Sequence, residues 1–314
     1  MLLFLFLSWA IQLSGDAITD GGTPNPAYGF TWGGFVYLNQ FETLTKYDFE
    51  GNVVAGFSRK GQGPGEISAG GPMFRKDGEI WVFDVGSGRI LIFDPDLKYL
   101  REFKSSDLTS PGRAGFCVVN DYIYLARSNS EIMGIERFSF VRENSLQKIP
   151  SPWLQTDFKS PNLRLLYFDQ QHFSIFEGVQ NREYFRAWLY SLDERRPIPL
   201  EIFNPGYDLQ ETNNSNQRYF HAMKQGMAHI AGIVKNGDRA WCFLQAFKRD
   251  AAGGYEWFHY WRVDVNLNTG KTVEVVPMPG RLIYFYGPTE HALIMDEAEN
   301  VVLLPLNPGE SGPR

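Results

Sequence analysis

The sequence of 314 residues contains only two cysteines, Cys117 and Cys242, and five histidines. Two cysteines cannot form a disulfide scaffold or a cysteine-based zinc site, and both lie in apolar runs that predict buried free thiols. No two histidines have the spacing of a helical zinc motif. The sequence also has no nucleophile elbow, catalytic cysteine environment or dinucleotide fingerprint. No short motif therefore identifies a reaction or a cofactor.

Basic residues are outnumbered, with 30 Lys and Arg against 36 Asp and Glu, which gives a formal net charge of −6. A nucleic-acid-binding protein normally carries a basic excess or a basic stripe, so a nucleic-acid partner is not expected. The longest apolar run, Leu2–Leu13, is shorter than the roughly 20 residues needed to cross a bilayer. We therefore expect no transmembrane span in the mature chain.

The apolar run at the start of the chain has two interpretations. It fits the hydrophobic part of a secretory signal, followed by the small residues of Ser14–Ala17. On this interpretation residues 1–25 are a signal peptide and leader, and the protein is exported to the periplasm or the extracellular space. No Lys or Arg precedes the run, however, which a signal peptide normally has. The alternative is an N-terminal β-strand that belongs to the fold.

Aromatic residues make up 15% of the chain, together with 31 glycines and 18 prolines, which favours many short strands joined by turns. Residues Thr43–Phe57 and Ile90–Phe103 have the same strand–turn–strand pattern, in which Asp48 matches Asp94. Looser copies surround Asp193 and Asp264. Pro-Gly pairs separate these units, and a period of about 40–50 residues is typical of β-propeller blades.

This period predicts an all-β fold, a six-bladed β-propeller of four-stranded antiparallel blades that occupies residues 26–314. A strand near residues 17–23 is expected to complete the last blade, because an unpaired outer edge invites aggregation. The rival fold is a pair of packed β-sandwiches. The predicted blades span residues 27–57, 72–104, 113–150, 163–203, 228–278 and 281–306, with an insertion at 206–227 between blades 4 and 5, and strands at 282–286, 292–295 and 301–304 in the last blade.

One segment resembles a known repeat. Ile80–Asp94 is similar to an NHL-type blade, with Asp84 before a glycine turn and Arg89 after it, although Ser87 replaces the usual Asn. The loop Gly61–Glu66 resembles one found in exported, mostly uncharacterised bacterial six-bladed propellers. From the residues themselves we expect Arg89 to pair with Asp84 and Glu66 to bind loop amides. A phosphate-binding role for the glycine loop is disfavoured, because no helix follows it.

The resemblance implies that ligands bind where the loops between blades gather around one mouth of a central channel. Arg113 and Arg281 each follow a Pro-Gly pair in such a loop, and Arg75 and Arg164 lie near inner strands. These arginines are candidates for an anion-attracting mouth. The alternative is that they are solvated or paired with neighbouring carboxylates. His229 begins an inner strand and is a further candidate.

The insertion at 206–227 is expected to lie at the same mouth, with a short helix over residues 217–224. Its polar candidates for a lid or specificity loop are Arg218, Tyr219, His221 and Lys224. The alternative is a decoration of the surface.

These observations favour an exported module that binds an unidentified small molecule or an envelope protein. The alternative is a metal-dependent hydrolase or lyase, of the lactonase or amidating-lyase type, that holds a divalent metal (calcium or zinc) at the channel mouth. A third possibility is a sensor segment or a subunit of a larger envelope assembly. No organic cofactor is evident.

Overall fold

The computed structural model describes the strands of the chain and most of their turns. The described residues are 9–11, 28–40, 42–84, 86–104, 116–128, 133–141, 145–149, 164–179, 184–191, 198–203, 227–249, 255–296 and 300–306. The chain divides into two compact units. Unit 1 consists of Met1–Ser110, Glu143–Ser145 and Pro279–Arg314, and unit 2 consists of Pro111–Arg142 and Leu146–Met278.

The described strands form six four-stranded antiparallel sheets. In five sheets the four strands are consecutive in the chain. The sixth has the order β1-β24-β23-β22, so its outermost strand comes from the other end of the chain.

Unit 1 contains three of these sheets. Their strands are β1 (Trp9–Ile11), β2 (Tyr28–Trp32), β3 (Phe35–Gln40), β4 (Thr43–Asp48), β5 (Val53–Ser58), β6 (Gly70–Lys76), β7 (Glu79–Asp84), β8 (Arg89–Phe93), β9 (Tyr99–Lys104), β22 (Gly280–Ile283), β23 (His291–Asp296) and β24 (Val301–Pro305).

Unit 2 is built mainly from the other three sheets. Their strands are β10 (Phe116–Val119), β11 (Tyr122–Ser128), β12 (Met133–Val141), β13 (Ser145–Ile149), β14 (Arg164–Tyr167), β15 (His172–Val179), β16 (Tyr184–Ser191), β17 (Ile198–Phe203), β18 (Met227–Asn236), β19 (Arg239–Arg249), β20 (Tyr255–Asn266) and β21 (Thr272–Pro277).

Strand β3 carries apolar residues on both of its faces because both faces are buried. In β3, Tyr37 packs into a core cluster with residues of β6, β7 and β8, whereas Val36 and Leu38 pack with residues of β22, β23 and β24. The sheet of β2–β5 is therefore covered on its two sides by the other two sheets of unit 1. Such burial produces nearly continuous apolar runs instead of the alternation of a half-exposed sheet.

Aspartate and asparagine side chains hold the strand-connecting turns. Asp48 accepts hydrogen bonds from the backbone N–H (2.7 Å) and the Nδ2 (2.9 Å) of Asn52. Asp296 and Asn300 repeat the same pair of bonds in the last sheet. The turn predicted around Asp264 and Thr269-Gly270 lies between β20 and β21, where Gly270 has a φ of 68°. Asp264 itself lies outside the turn, because it is buried inside β20 and accepts a 2.7 Å bond from Nε of Arg262.

Two predictions about the last sheet need correction. Its fourth strand does come from the N-terminal region, but from Trp9–Ile11, and residues 17–23 lie outside the described part of the chain. Its first strand ends at Ile283, whereas the sequence predicted a strand up to Tyr286. The segment from Tyr284 onward leaves β23 because it binds to β2 instead, beginning with a 2.9 Å bond from Gly29 N to Tyr284 O.

Both cysteines are buried free thiols, as predicted, and they lie in unit 2. Burial raises the pKa of Cys117 and of Cys242 well above the usual value, so both remain protonated at neutral pH.

Among the described residues, no helix is both long enough and apolar enough to cross a membrane.

The backbone of β22 approaches β23 so closely that position 280 accepts only glycine. A Cβ atom at Gly280 would lie 1.8 Å from the carbonyl oxygen of Met295. We expect Gly280→Ala to lower the free energy of unfolding by at least about 2 kcal/mol, because the backbone must move. Gly56→Ala is the matched control, since its Cβ would lie 3.8 Å from the nearest atom, Leu44 O. Thermal unfolding of the two variants measures the difference, and equal stabilities would contradict the prediction.

Candidate functional site

The described part of the chain contains only some of the predicted site residues. Arg113, Arg218 and His221 lie outside it, as does the proposed helix of the insertion. His229 lies on β18 in register with Gln245 of β19. Arg281 is the second residue of β22, and its Nη2 lies 3.4 Å from Sδ of Met295. The clustering of these residues at one mouth thus stays a prediction.

Of the two further arginines, Arg75 is the one whose side chain is described. Its guanidinium carbon lies 5.3 Å from the ring centre of Trp32, in a cation–π contact within unit 1. Arg164 is the first residue of β14.

The histidines with described side chains have local surroundings typical of structural residues. His172 Nδ1 lies 2.8 Å from Oδ1 of Asp169, in the turn between β14 and β15. His291 Nδ1 lies 3.1 Å from Oγ1 of Thr31, and burial lowers the pKa of His291. His259 is exposed beside Trp261. Within the described ranges, no group of three or more His, Cys, Asp or Glu residues is placed to hold a metal ion.

A buried arginine fixes the glycine-rich connection between β5 and β6. The Arg89 side chain is 1% exposed, and its Nη2 lies 3.0 Å from Oδ2 of Asp84, which is fully buried. Nη1 donates to the carbonyl oxygens of Gln62 (3.2 Å) and Gly63 (2.8 Å), and Nε donates to Ser87 Oγ at 2.6 Å. The predicted Arg89–Asp84 pair is therefore confirmed, and it also binds the backbone of the loop.

Glu66 and Asp84 make further hydrogen bonds that hold this loop. Gly63 N donates to Oε2 of Glu66 at 2.7 Å, as the sequence predicted, while Glu66 O accepts a 2.8 Å bond from Arg89. Burial raises the pKa of Asp84, but hydrogen bonds from Ser87 and from residues 68–69 outweigh it, so the pKa lies below its usual value. The loop is thus rigidly held, and it exposes Arg59, Lys60 and Gln62 to solvent.

The connection between β22 and β23 is longer than the connections between the first two strands of the other sheets. It runs from residue 284 to 290, whereas the first two strands of the other sheets are joined by the shorter connections 33–34, 77–78, 120–121, 168–171 and 237–238. It carries Tyr284 and Tyr286, whose rings lie 6.5 Å and 5.5 Å from the ring of Tyr28 on β2. We call Tyr28, Tyr284 and Tyr286 the tyrosine group. All three are only partly buried.

Thr31 holds the far end of this connection against β2. Its Oγ1 accepts bonds from the backbone N–H groups of Glu290 (3.1 Å) and His291 (2.8 Å). Its own N–H donates to Oγ1 of Thr289 at 3.0 Å, and Gly33 N donates to the carboxylate of Glu290 at 3.2 Å. The connection is therefore anchored at both ends, by Tyr284 at one and by Thr31 at the other.

The middle of the connection reaches β6. A Cβ atom at Gly287 would lie 3.1 Å from Cβ of Phe74, so only glycine fits there without displacement. Burial raises the pKa of Tyr28, and the neighbouring Tyr284 adds to this effect. The Tyr28 phenol is therefore neutral at physiological pH. It offers an aromatic surface together with a hydroxyl that can donate and accept hydrogen bonds.

Sequence reasoning missed this site because the aromatic run of residues 284–286 is typical of a strand. The available signal was the length of the segment between the apolar parts of β22 and β23, which exceeds a two-residue hairpin. Its Gly287-Pro288 pair is also a loop marker.

The topology defines the fold as an all-β propeller of antiparallel four-stranded sheets. Two solved structures share it. A Bacteroides fragilis protein assigned as exported matches with a TM-score of 0.56 and 13% identity, covering 94% of this chain and 92% of that chain. A member of the DUF4221 family from Bacteroides vulgatus matches with a TM-score of 0.59 and 12% identity, covering 95% of both chains.

No family model and no curated protein matches the chain. The resemblance to NHL-type repeats therefore stays a prediction. Since both structural neighbours are under 25% identical, they establish the fold alone.

We expect Arg89→Lys to loosen the loop at residues 59–69, because lysine cannot replace three separately directed donor groups. Trypsin should then cut after Arg59 or Lys60 several times faster than in the unmodified protein. The matched control is Arg101→Lys, which alters the half-exposed pair with Glu79 (2.7 Å) on the same sheet. Equal cleavage rates in the two variants would show that Arg89 does not hold the loop.

Proposed function

We propose that this protein is an exported, six-bladed β-propeller that binds a small molecule or a protein partner through the tyrosine group. The six sheets are its blades, and β2, β6 and β22 are inner strands. The observation that carries the proposal is the connection 284–290, which is longer than its equivalents and presents partly exposed tyrosines on a backbone anchored by Tyr284 and Thr31.

The chemistry of the site favours a ligand with an apolar or planar face. The tyrosine group supplies ring surfaces for stacking and hydroxyl groups for orientation, a combination enriched at binding sites. Because the connection is already fixed in the free protein, binding does not have to order it, which reduces the entropic cost of association.

Export is supported by the apolar run Leu2–Leu13 and by the exported assignment of the Bacteroides fragilis neighbour. The destination is the periplasm or the extracellular space. The arginines expected at the channel mouth, including Arg113 and Arg281, and the insertion at 206–227 would form a second part of the binding surface.

The proposal predicts that Tyr286→Ala weakens ligand binding. Glycan and peptide microarrays probed with the purified protein would identify a ligand, and calorimetry with that compound would give the dissociation constant. We expect the constant to rise about tenfold, since the loss of one stacked ring costs about 1.4 kcal/mol. Tyr286→Phe keeps the ring and should retain most of the affinity.

The matched control is Tyr122→Ala, which removes a partly buried tyrosine from β11 in unit 2. If Tyr286→Ala and Tyr122→Ala bind equally well, the tyrosine group is not the binding site.

The metal content of the protein separates the proposed function from the metal-dependent alternative. We expect the protein, purified without chelator, to contain far less than one metal ion per chain by elemental mass spectrometry. One tightly held calcium or zinc ion per chain, lost together with thermal stability, would favour the hydrolase or lyase instead. Lactones and peptidyl hydroxyglycines would then be the substrates to assay.

A further inference from the structure

Residues 9–11 form a strand of the last sheet, and they also lie in the segment interpreted above as a secretory signal. A cleaved signal could not remain in the sheet. β1 pairs antiparallel with β24, with Trp9 opposite Leu303, Ala10 opposite Val302 and Ile11 opposite Val301. In the last sheet β1 occupies the outer position that β5, β9, β13, β17 and β21 occupy in the other five. The same three residues lie inside the apolar run Leu2–Leu13, which fits the hydrophobic part of a secretory signal.

Cleavage of that signal would remove the strand. The small residues at which a signal peptidase would cut, Ser14–Ala17, follow β1 in the chain. A cut at any point after residue 11 would leave the last sheet with three strands. One edge of β24 would then expose unpaired N–H and C=O groups beside the apolar residues Val301–Leu304, which are buried in the complete sheet.

We propose that residues 9–11 remain part of the folded protein as the fourth strand of the last sheet, so that the apolar segment is not cleaved off behind them. The register with β24 carries this proposal. Its consequence for export rests on the proposed function: if the chain is exported, it is exported with this segment attached.

The first experiment determines the N-terminus of the exported protein. The full chain with a C-terminal tag is produced in a bacterial host, and the periplasmic and secreted fractions are analysed by intact mass and N-terminal sequencing. We expect an N-terminus at or before Trp9. An N-terminus anywhere from residue 12 to 27 on folded protein would overturn the proposal.

The second experiment tests the strand independently of export, on protein made in the cytoplasm. Deletion of residues 2–15 removes β1, whereas the control deletion of residues 2–7 keeps it. We expect the control to unfold at the same temperature as the full chain and the longer deletion to unfold about 5 °C lower or to fail to fold. Equal melting temperatures for the two deletions would overturn the proposal.

Proline substitutions in β1 test the strand without shortening the chain, which excludes a non-specific effect of deletion. Ala10→Pro combined with Ile11→Pro removes at least one ladder hydrogen bond, because successive N–H groups of a strand point to opposite sides. Leu2→Pro combined with Leu3→Pro makes the same change outside β1. Only the first pair should lower the melting temperature. If the chain stays in the cytoplasm, the export part of the proposed function fails, while these melting temperatures still decide the role of β1.

Discussion

The burial of the sheet of β2–β5 on both of its faces is the constraint on which unit 1 depends. This sheet is covered on one side by the residues around Tyr37 and on the other by those around Leu38. Polar side chains close the turns at strand ends, as Asp48 and Asp296 do. Buried charges are paired, as Arg89 is with Asp84 and Arg262 with Asp264. An unpaired charge there would carry the full cost of its desolvation.

Local patterns made much of this architecture predictable. The repeated strand–turn–strand pattern and the Pro-Gly pairs predicted an all-β propeller of four-stranded antiparallel sheets, and the Arg89–Asp84 pair followed from two residues on either side of one turn. The location of the closing strand was not predictable, since a strand as short as Trp9–Ile11 has no recognisable period. The conformation of residues 284–290 was missed for a different reason. It depends on Thr31, which is 260 positions away from His291 in the chain.

The candidate site shows how one sheet of a repeated architecture can carry a different connection. Five of the six sheets join their first two strands by short connections, and the sixth uses a longer one that crosses to neighbouring strands. The hydrogen bonds to Thr31 and the close approach of Gly287 to Phe74 replace the ladder bonds that a hairpin would have made. The aromatic side chains of this connection are therefore held by the rigid core, although they do not belong to any sheet.

The pairing of β1 with β24 also determines how the last sheet responds to mechanical force. Trp9 lies opposite Leu303, and Ile11 lies opposite Val301, so the N-terminal end of β1 and the C-terminal end of β24 are at the same end of the pair. A force applied to the two ends of the chain would therefore load the hydrogen bonds between β1 and β24 one at a time, starting at this end. It would not load all of them together, as a shear force would. This strand pair would therefore open at a lower force than the same pair loaded in shear.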